Sequence, residues 1–165
     1  MIIKSKDRFK LVPAVYLVLF RDNDKGEKEI LLLKRRNTGF MDGHYSMVAG
    51  HLDGGETLMT AMIREAKEEA GVILKQKDLK IVHTMHRKAV DHERIDFFIT
   101  TKAWEGEIIN MEPDKCSELK WFTISNLPDK IVEYVKCAVD NIENKIYYSE
   151  HSWSSCVKTS EAEVG

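Results

Sequence analysis

The chain has 165 residues, the size of one ordinary domain with a substantial core, and its 43% hydrophobic and 32% charged residues are a soluble globular balance. A net charge of −2 supplies no global basic field, so a nucleic-acid partner is not expected. Three cysteines, Cys116, Cys137 and Cys156, follow no metal or redox spacing, which points to plain thiols in a reducing, cytoplasmic setting.

Lys10 and the apolar run at 11–20 loosely resemble a secretion signal. The run is too short for a bilayer, which takes about 20 residues, and Arg21, Asp22, Asn23 and Asp24 follow in place of a cleavage site. No membrane association is expected. Residues 14–20 read instead as a strand covered on both faces. Residues 22–28 are a turn bent by Gly26, and 29–34 a second strand, antiparallel to the first. Arg35, Arg36 and Asn37 open a polar loop punctuated by Gly43, and 45–48 is a short strand. Residues 57–70 read as a helix that ends at Gly71. Residues 78–85 hold an apolar stretch alternating through Met85, and 94–101 is another strand after a charged loop. A loop with Pro113 leads to a strand at 119–124 centred on Trp121 and Phe122. Ile131, Tyr134, Val135, Ala138 and Ile142 recur at helical spacing, so 129–145 reads as an amphipathic helix with Pro128 early in it. Residues 149–165 read as a polar tail, frayed from 159 on. With no repeat or linker, the expectation is a single α/β domain over 1–165, an α/β/α sandwich in which helices flank a mixed sheet.

The chemistry concentrates on the helix at 57–70. Glu65, Glu68 and Glu69 stand at i, i+3 and i+4, which puts three carboxylates on one face. Two such groups about 6 Å apart repel by roughly 3 kcal/mol at an effective dielectric of about 20. Arg64 offsets part of this. A hard cation held by oxygen ligands would offset more, and magnesium, manganese and calcium suit such ligands.

Gly50, Glu56, Arg64, Glu65, Ala66, Glu68, Glu69, Gly71 and Val72 match the Nudix box, G-x5-E-x7-R-E-U-x-E-E-x-G-U with U aliphatic, at every position. Seven of these letters are fixed, and a chance match in a chain this long has odds on the order of one in a million. The chain therefore resembles the Nudix hydrolases, and the resemblance implies their fold, a loop–helix–loop motif on a mixed sheet. It also implies their reaction, hydrolysis of a nucleoside diphosphate linked to another group. By position it makes Glu65, Glu68 and Glu69 the metal-binding glutamates, for Mg2+ or Mn2+, joined by a backbone carbonyl of Ala49 or Gly50. Arg64 becomes the arginine that orients them, and Glu56 a supporting group. Homodimers are frequent in this family.

Pyrophosphate hydrolysis needs charge neutralisation, an aligned water and a base. Glu65 can serve as base. Outside the box, Glu93 and Glu112 are candidates for that role or for an added ligand. Among the cluster His83, His86, Arg87, Lys88, His92 and Arg94, Arg87 is a candidate for substrate phosphates, as are Arg35 and Arg36. Trp121 is a candidate for stacking on a nucleobase.

The segment Trp121, Phe122 through Leu127, Pro128 resembles the W-F-x4-[IL]-P segment of MutT-type members, which cleave nucleoside triphosphates to monophosphate and pyrophosphate, oxidised forms such as 8-oxo-dGTP included. That is the leading sequence reading. The SQPWPFPxS segment of the family's NADH hydrolases is missing, and no proline lies about 15 residues beyond the box as in many ADP-ribose hydrolases. Hydrolysis of ADP-ribose, nucleotide sugars or dinucleoside polyphosphates is the alternative within the family. A catalytically silent nucleotide-binding module is the alternative outside it, and the intact box argues against it.

Overall fold

A computed structural model describes residues 8–153; the segment at 159–165 expected to fray, and Cys156, lie outside that range. Its elements are β1 (Val12–Val18), β2 (Phe20–Asp22), β3 (Lys28–Arg35), β4 (Tyr45–Ser46), β5 (Ala49–His51), α1 (Leu58–Ala70), β6 (Lys80–Lys88), β7 (Glu93–Thr100), β8 (Cys116–Thr123), α2 (Glu133–Glu143) and β9 (Tyr148–His151).

The side chains of β1 alternate between two cores. Ala14, Tyr16 and Val18 pack into the core that contains Tyr134, Val135, Ala138 and Val139 of α2. Val15 and Leu17 pack into the core that contains Ala61, Met62, Ala66 and Ala70 of α1. Burial on both faces is why this stretch is apolar without alternation. The two helices thus lie on opposite sides, and the α/β/α sandwich expected from the sequence is the architecture found.

The strands form two sheets rather than one. The first runs β5-β1-β7-β6-β9 and is mixed: β1 pairs antiparallel with β5 and parallel with β7, and β6 pairs antiparallel with β7 and parallel with β9. The second is antiparallel and centred on β3, which pairs with β2, β4 and β8. The apolar run at 14–20 is therefore split. Its first part belongs to the first sheet, and Phe20 begins β2 in the second, so the hairpin partner of β3 is β2 and not β1. Of the run at 45–48 only Tyr45 and Ser46 are strand, in β4 of the second sheet; β5 begins just beyond it at Ala49 in the first, with Val48 O accepting from Leu17 N at 2.8 Å.

Two further expectations are corrected. The second helix starts at Glu133, not at 129, because the residues ahead of it are tied to Tyr45: Tyr45 N donates to Lys130 O at 2.7 Å and Val132 N to Tyr45 O at 2.9 Å. Pro128 therefore precedes the helix. The polar tail also contains a strand, β9. It is held because the buried ring of His83 contacts Ile146 O at 2.7 Å and Ser149 Oγ at 2.9 Å. The carbonyl can only accept, so His83 Nδ1 carries the proton and Nε2 accepts from the serine hydroxyl. Among the described residues no helix is long and apolar enough to cross a membrane.

Candidate active site

Helix α1 is set by its ends. Thr57 caps it by accepting from Thr60 N at 3.2 Å, and Gly71, at φ 67°, closes it in the left-handed conformation. Its buried face is mostly alanine, with Ala61, Ala66 and Ala70 fully covered. Small residues there let the helix lie close on the sheet, and β5 meets its acidic side. Glu69 Oε2 accepts from Ala49 N at 3.0 Å. Glu65 lies over Gly50, where an added Cβ would fall 1.9 Å from its Oε1. The carbonyls of Ala49 and Gly50, expected as ligands from the resemblance, belong to this same short strand.

Arg64 organises the rest. Its guanidinium bonds Glu65 at 2.7 Å, Glu56 at 2.8 Å, Glu68 at 3.3 Å and the carbonyl of His51 at 3.1 Å, with Asp53 at 3.6 Å. Glu56 also accepts from Asp53 N at 2.8 Å, and these bonds hold its carboxyl below the usual range, Arg64 contributing most. One guanidinium faces four carboxylates, so the cluster retains excess negative charge. Glu65 is pushed up by burial and only partly drawn back by Arg64. Glu69 is pushed up to about 7, chiefly by burial, with Glu65 and Glu112 adding repulsion against the Ala49 N–H.

A hard divalent cation fits this donor set: partly buried carboxylate oxygens against a backbone strand, carrying charge that the protein leaves uncompensated. Among the described residues no group of three or more acidic, histidine or cysteine side chains is arranged to hold a metal ion by itself. Magnesium does not require such a group, because it keeps waters and takes phosphate oxygens beside one or two carboxylates. Glu68, 55% exposed in its side chain, accepts from Arg64 at 3.3 Å and does not line the cleft beside Glu69.

Next to Glu69 opens a cleft of about 380 Å³. Of the residues singled out from the sequence, Ala49, Gly50, Glu69, Arg35, Arg87, His92, Arg94 and Glu112 line it. Glu112 is carried there by a loop laid along the end of α1, where Ile109 N donates to Ala70 O at 3.0 Å and Met111 N to Glu69 O at 3.1 Å. Arg35 is spent on the loop that follows it, bonding Phe40 O at 2.7 Å and Thr38 Oγ1 at 2.9 Å.

Arg36, Glu93 and Trp121 are not on the wall. Arg36 is exposed. Glu93 contacts His86 Nε2 at 3.2 Å. Trp121 packs toward the α1 core, with Arg21 stacked 4.2 Å from its ring centre. The cleft also contains His51, Phe40, Lys115 and Tyr134, none of them flagged as site residues from the sequence. Asp96, beneath Arg87 and Arg94, had gone unmarked, although a lone aspartate inside an apolar strand is a signal for a buried charge with partners.

The sequence matches the NUDIX domain family over residues 10–140. It is 32% identical over 145 residues to the ADP-ribose pyrophosphatase of Methanocaldococcus jannaschii, covering 84% of this chain and 81% of that protein. It is 32% identical over 119 residues to the NAD-capped RNA hydrolase NudC of Pseudomonas putida, covering 72% of this chain and only 39% of that longer protein. Among solved structures, a MutT NUDIX hydrolase from Burkholderia pseudomallei has the same fold, with a TM-score of 0.70 at 22% identity over 79% of this chain and 97% of that one.

Proposed function

The chain belongs to the Nudix family, and we propose that it is a magnesium-dependent pyrophosphatase of ADP-ribose and related nucleoside diphosphate derivatives, working in the cytoplasm. The observation that carries the substrate class is the match to an ADP-ribose pyrophosphatase along most of both chains. The triphosphate reading rested on the segment that begins at Trp121 and Phe122. Trp121 packs toward the α1 core and Phe122 against Tyr45, and neither lines the cleft. The missing proline beyond the box weighs less than an alignment at 32% identity that covers 84% of the chain.

In this reading Glu69 and Glu65, beside the backbone of Ala49 and Gly50, hold the cation. When bound, it supplies Lewis-acid stabilisation of the phosphoryl oxygens. Arg64 positions Glu65, and Glu56 and the His51 carbonyl position Arg64. Water adds to one phosphorus as the bond from that same phosphorus to the bridging oxygen breaks, and the bridging oxygen leaves with the other phosphate, giving AMP and ribose 5-phosphate. The proton of that water passes to a carboxylate. Glu112 faces the cleft and is the better placed of the two candidates outside the box, since Glu93 is engaged with His86 elsewhere.

The test is a panel of ADP-ribose, NADH, nucleotide sugars, dinucleoside polyphosphates and (d)NTPs with magnesium, products separated by chromatography. The highest kcat/KM is expected for ADP-ribose. Faster release of pyrophosphate from a (d)NTP than of AMP from ADP-ribose would return the assignment to the triphosphate class.

A further inference from the structure

The cleft has a second charged end, which the carboxylates of α1 do not use. Arg87 on β6 and Arg94 on β7 stand directly opposite each other in the antiparallel register. Like charges so placed repel, and these two share one counter-ion. Asp96, two residues along β7 on the same face and 0% exposed, accepts from Arg87 Nε at 2.7 Å and from Arg94 Nε at 3.3 Å. One carboxylate against two guanidiniums leaves a positive excess. Arg87 is itself only 8% exposed, and its guanidinium lies 3.9 Å from the ring centre of Tyr134. Among the described residues both arginines make their hydrogen bonds through Nε alone, so their terminal amino groups are uncommitted, and both side chains line the cleft.

A cation pair of one buried and one largely covered guanidinium, in excess of its counter-ion, is unfavourable unless something completes it. Anchoring Nε to a carboxylate while leaving the amino groups free is the orientation that presents planar forks to an oxyanion. The place also fits. Asp96 is in register with Ala14, and Ala14 with His51, two residues along β5 from the Ala49 amide that holds Glu69. Two strand spacings across the sheet, about 10 Å, and two residues along it, about 7 Å, make a separation of about 12 Å, which one nucleoside diphosphate derivative spans.

We infer that Arg87 and Arg94, held by Asp96, form an oxyanion subsite that takes a phosphoryl group of the substrate. The inference rests on this cleft being the pyrophosphatase site. The phosphoryl group is either part of the pyrophosphate itself or a phosphomonoester on the group attached to it. Asp96 is a positioning residue: it touches the arginines and not the ligand.

The experiment uses the whole chain in two formats. In chelator, with inorganic phosphate as probe, thermal unfolding is followed. Phosphate is expected to raise Tm of the unaltered protein, and Arg87→Gln and Arg94→Gln to lose that rise. With magnesium and ADP-ribose the same variants are expected to raise KM roughly ten- to a hundredfold, with a smaller change in kcat. Arg94→Lys keeps the charge and the fold but not the fork, and should fall between. Asp96→Asn turns an N–H toward one guanidinium, and should raise KM and weaken the phosphate effect while kcat changes little.

A larger KM penalty on a substrate bearing an added phosphomonoester than on ADP-ribose assigns the subsite to that added group. An equal penalty assigns it to the pyrophosphate. Unchanged phosphate stabilisation and unchanged KM in folded Arg94→Lys and Arg94→Gln overturn the subsite. Phosphate stabilisation that depends on Arg94, with no hydrolysis of any substrate, supports the subsite and overturns the pyrophosphatase reading, so the two fail separately.

Discussion

A methyl group on Gly50 would stand 1.9 Å from the Oε1 of Glu65. The glycine that opens the motif is therefore there for space and not for backbone freedom, since it is absent from the glycines with positive φ. The colliding atom is the end of a flexible side chain, so Gly50→Ala should fold. It should also displace the carboxylate by an ångström or more and lower kcat by about a hundredfold. Turnover measured beside far-UV circular dichroism checks this, and near-normal turnover would show that the position of Glu65 does not matter.

Glu69→Gln keeps an oxygen for the Ala49 N–H but removes the charge. At least about a hundredfold should be lost from kcat, with weaker Mn2+ binding by calorimetry and an unchanged unfolding midpoint in chelator or a slightly higher one. Unaltered metal affinity would mean that the cation is held elsewhere.

Arg64→Met leaves Glu56, Glu65 and Glu68 facing one another without their shared counter-ion. The side chain is 25% exposed, which moderates the cost to about 2 kcal/mol by urea unfolding. Arg64→Lys should recover part of the stability and less of the activity, because it cannot span Glu56 and Glu65 in one plane. Equal recovery of both would reduce the role of Arg64 to charge alone.

The raised value of Glu69 has a pH signature. Its folded pKa of about 7 lies above the ordinary value near 4.3, so the folded state keeps a proton that the unfolded state releases between them. This contribution is fully present below about 4.3 and is lost as pH rises through about 7. Metal-free protein should lose stability across that window, on the order of 3 kcal/mol from this group, and saturating magnesium should remove the slope. Unfolding midpoints against pH in chelator and in magnesium make the comparison; parallel curves would contradict it.

Ser149→Ala removes the donor to His83 Nε2 inside the core. A cost of about 1–2 kcal/mol is expected, expressed as faster amide exchange in β9. Protection unchanged at 148–151 would show that backbone pairing with β6 suffices.

What could be read from the chain without coordinates was what short-range chemistry decides. Helix α1 has its stop at Gly71 and its acidic spacing within a few turns, and both appear in the structure, whereas Thr57, read as the first helical residue, is the cap and the helix starts at Leu58. The division of the run at 14–20 between two sheets could not be read. Leu17, Leu19 and Phe20 are equally apolar, and only pairing with distant β7 and β3 sorts them. The strand Tyr148–His151 carries no alternation and no β-branched residue, and is formed by pairing with distant β6, where His83, over sixty positions earlier, meets Ser149. Trp121 was equally ambiguous, as alternation shows that neighbours diverge but not which of the two faces the cleft.

The loop that delivers Glu112 occupies the terminal carbonyls of α1, with Ile109 and Met111 donating to Ala70 and Glu69. It cannot swing without breaking its hydrogen bonds to the last turn of α1, the turn that bears Glu69, so that wall behaves as a fixed anvil. The opposite rim is different. Residues 36–44 hold Asn37 and Met41 at φ 52° and 50°, conformations that cost non-glycine residues about 1 kcal/mol or more each. That rim is pinned from within, Arg35 donating to Phe40 O and Thr38 Oγ1 and the Thr38 hydroxyl to Asp42, and Phe40 stands half exposed at the mouth of the cleft.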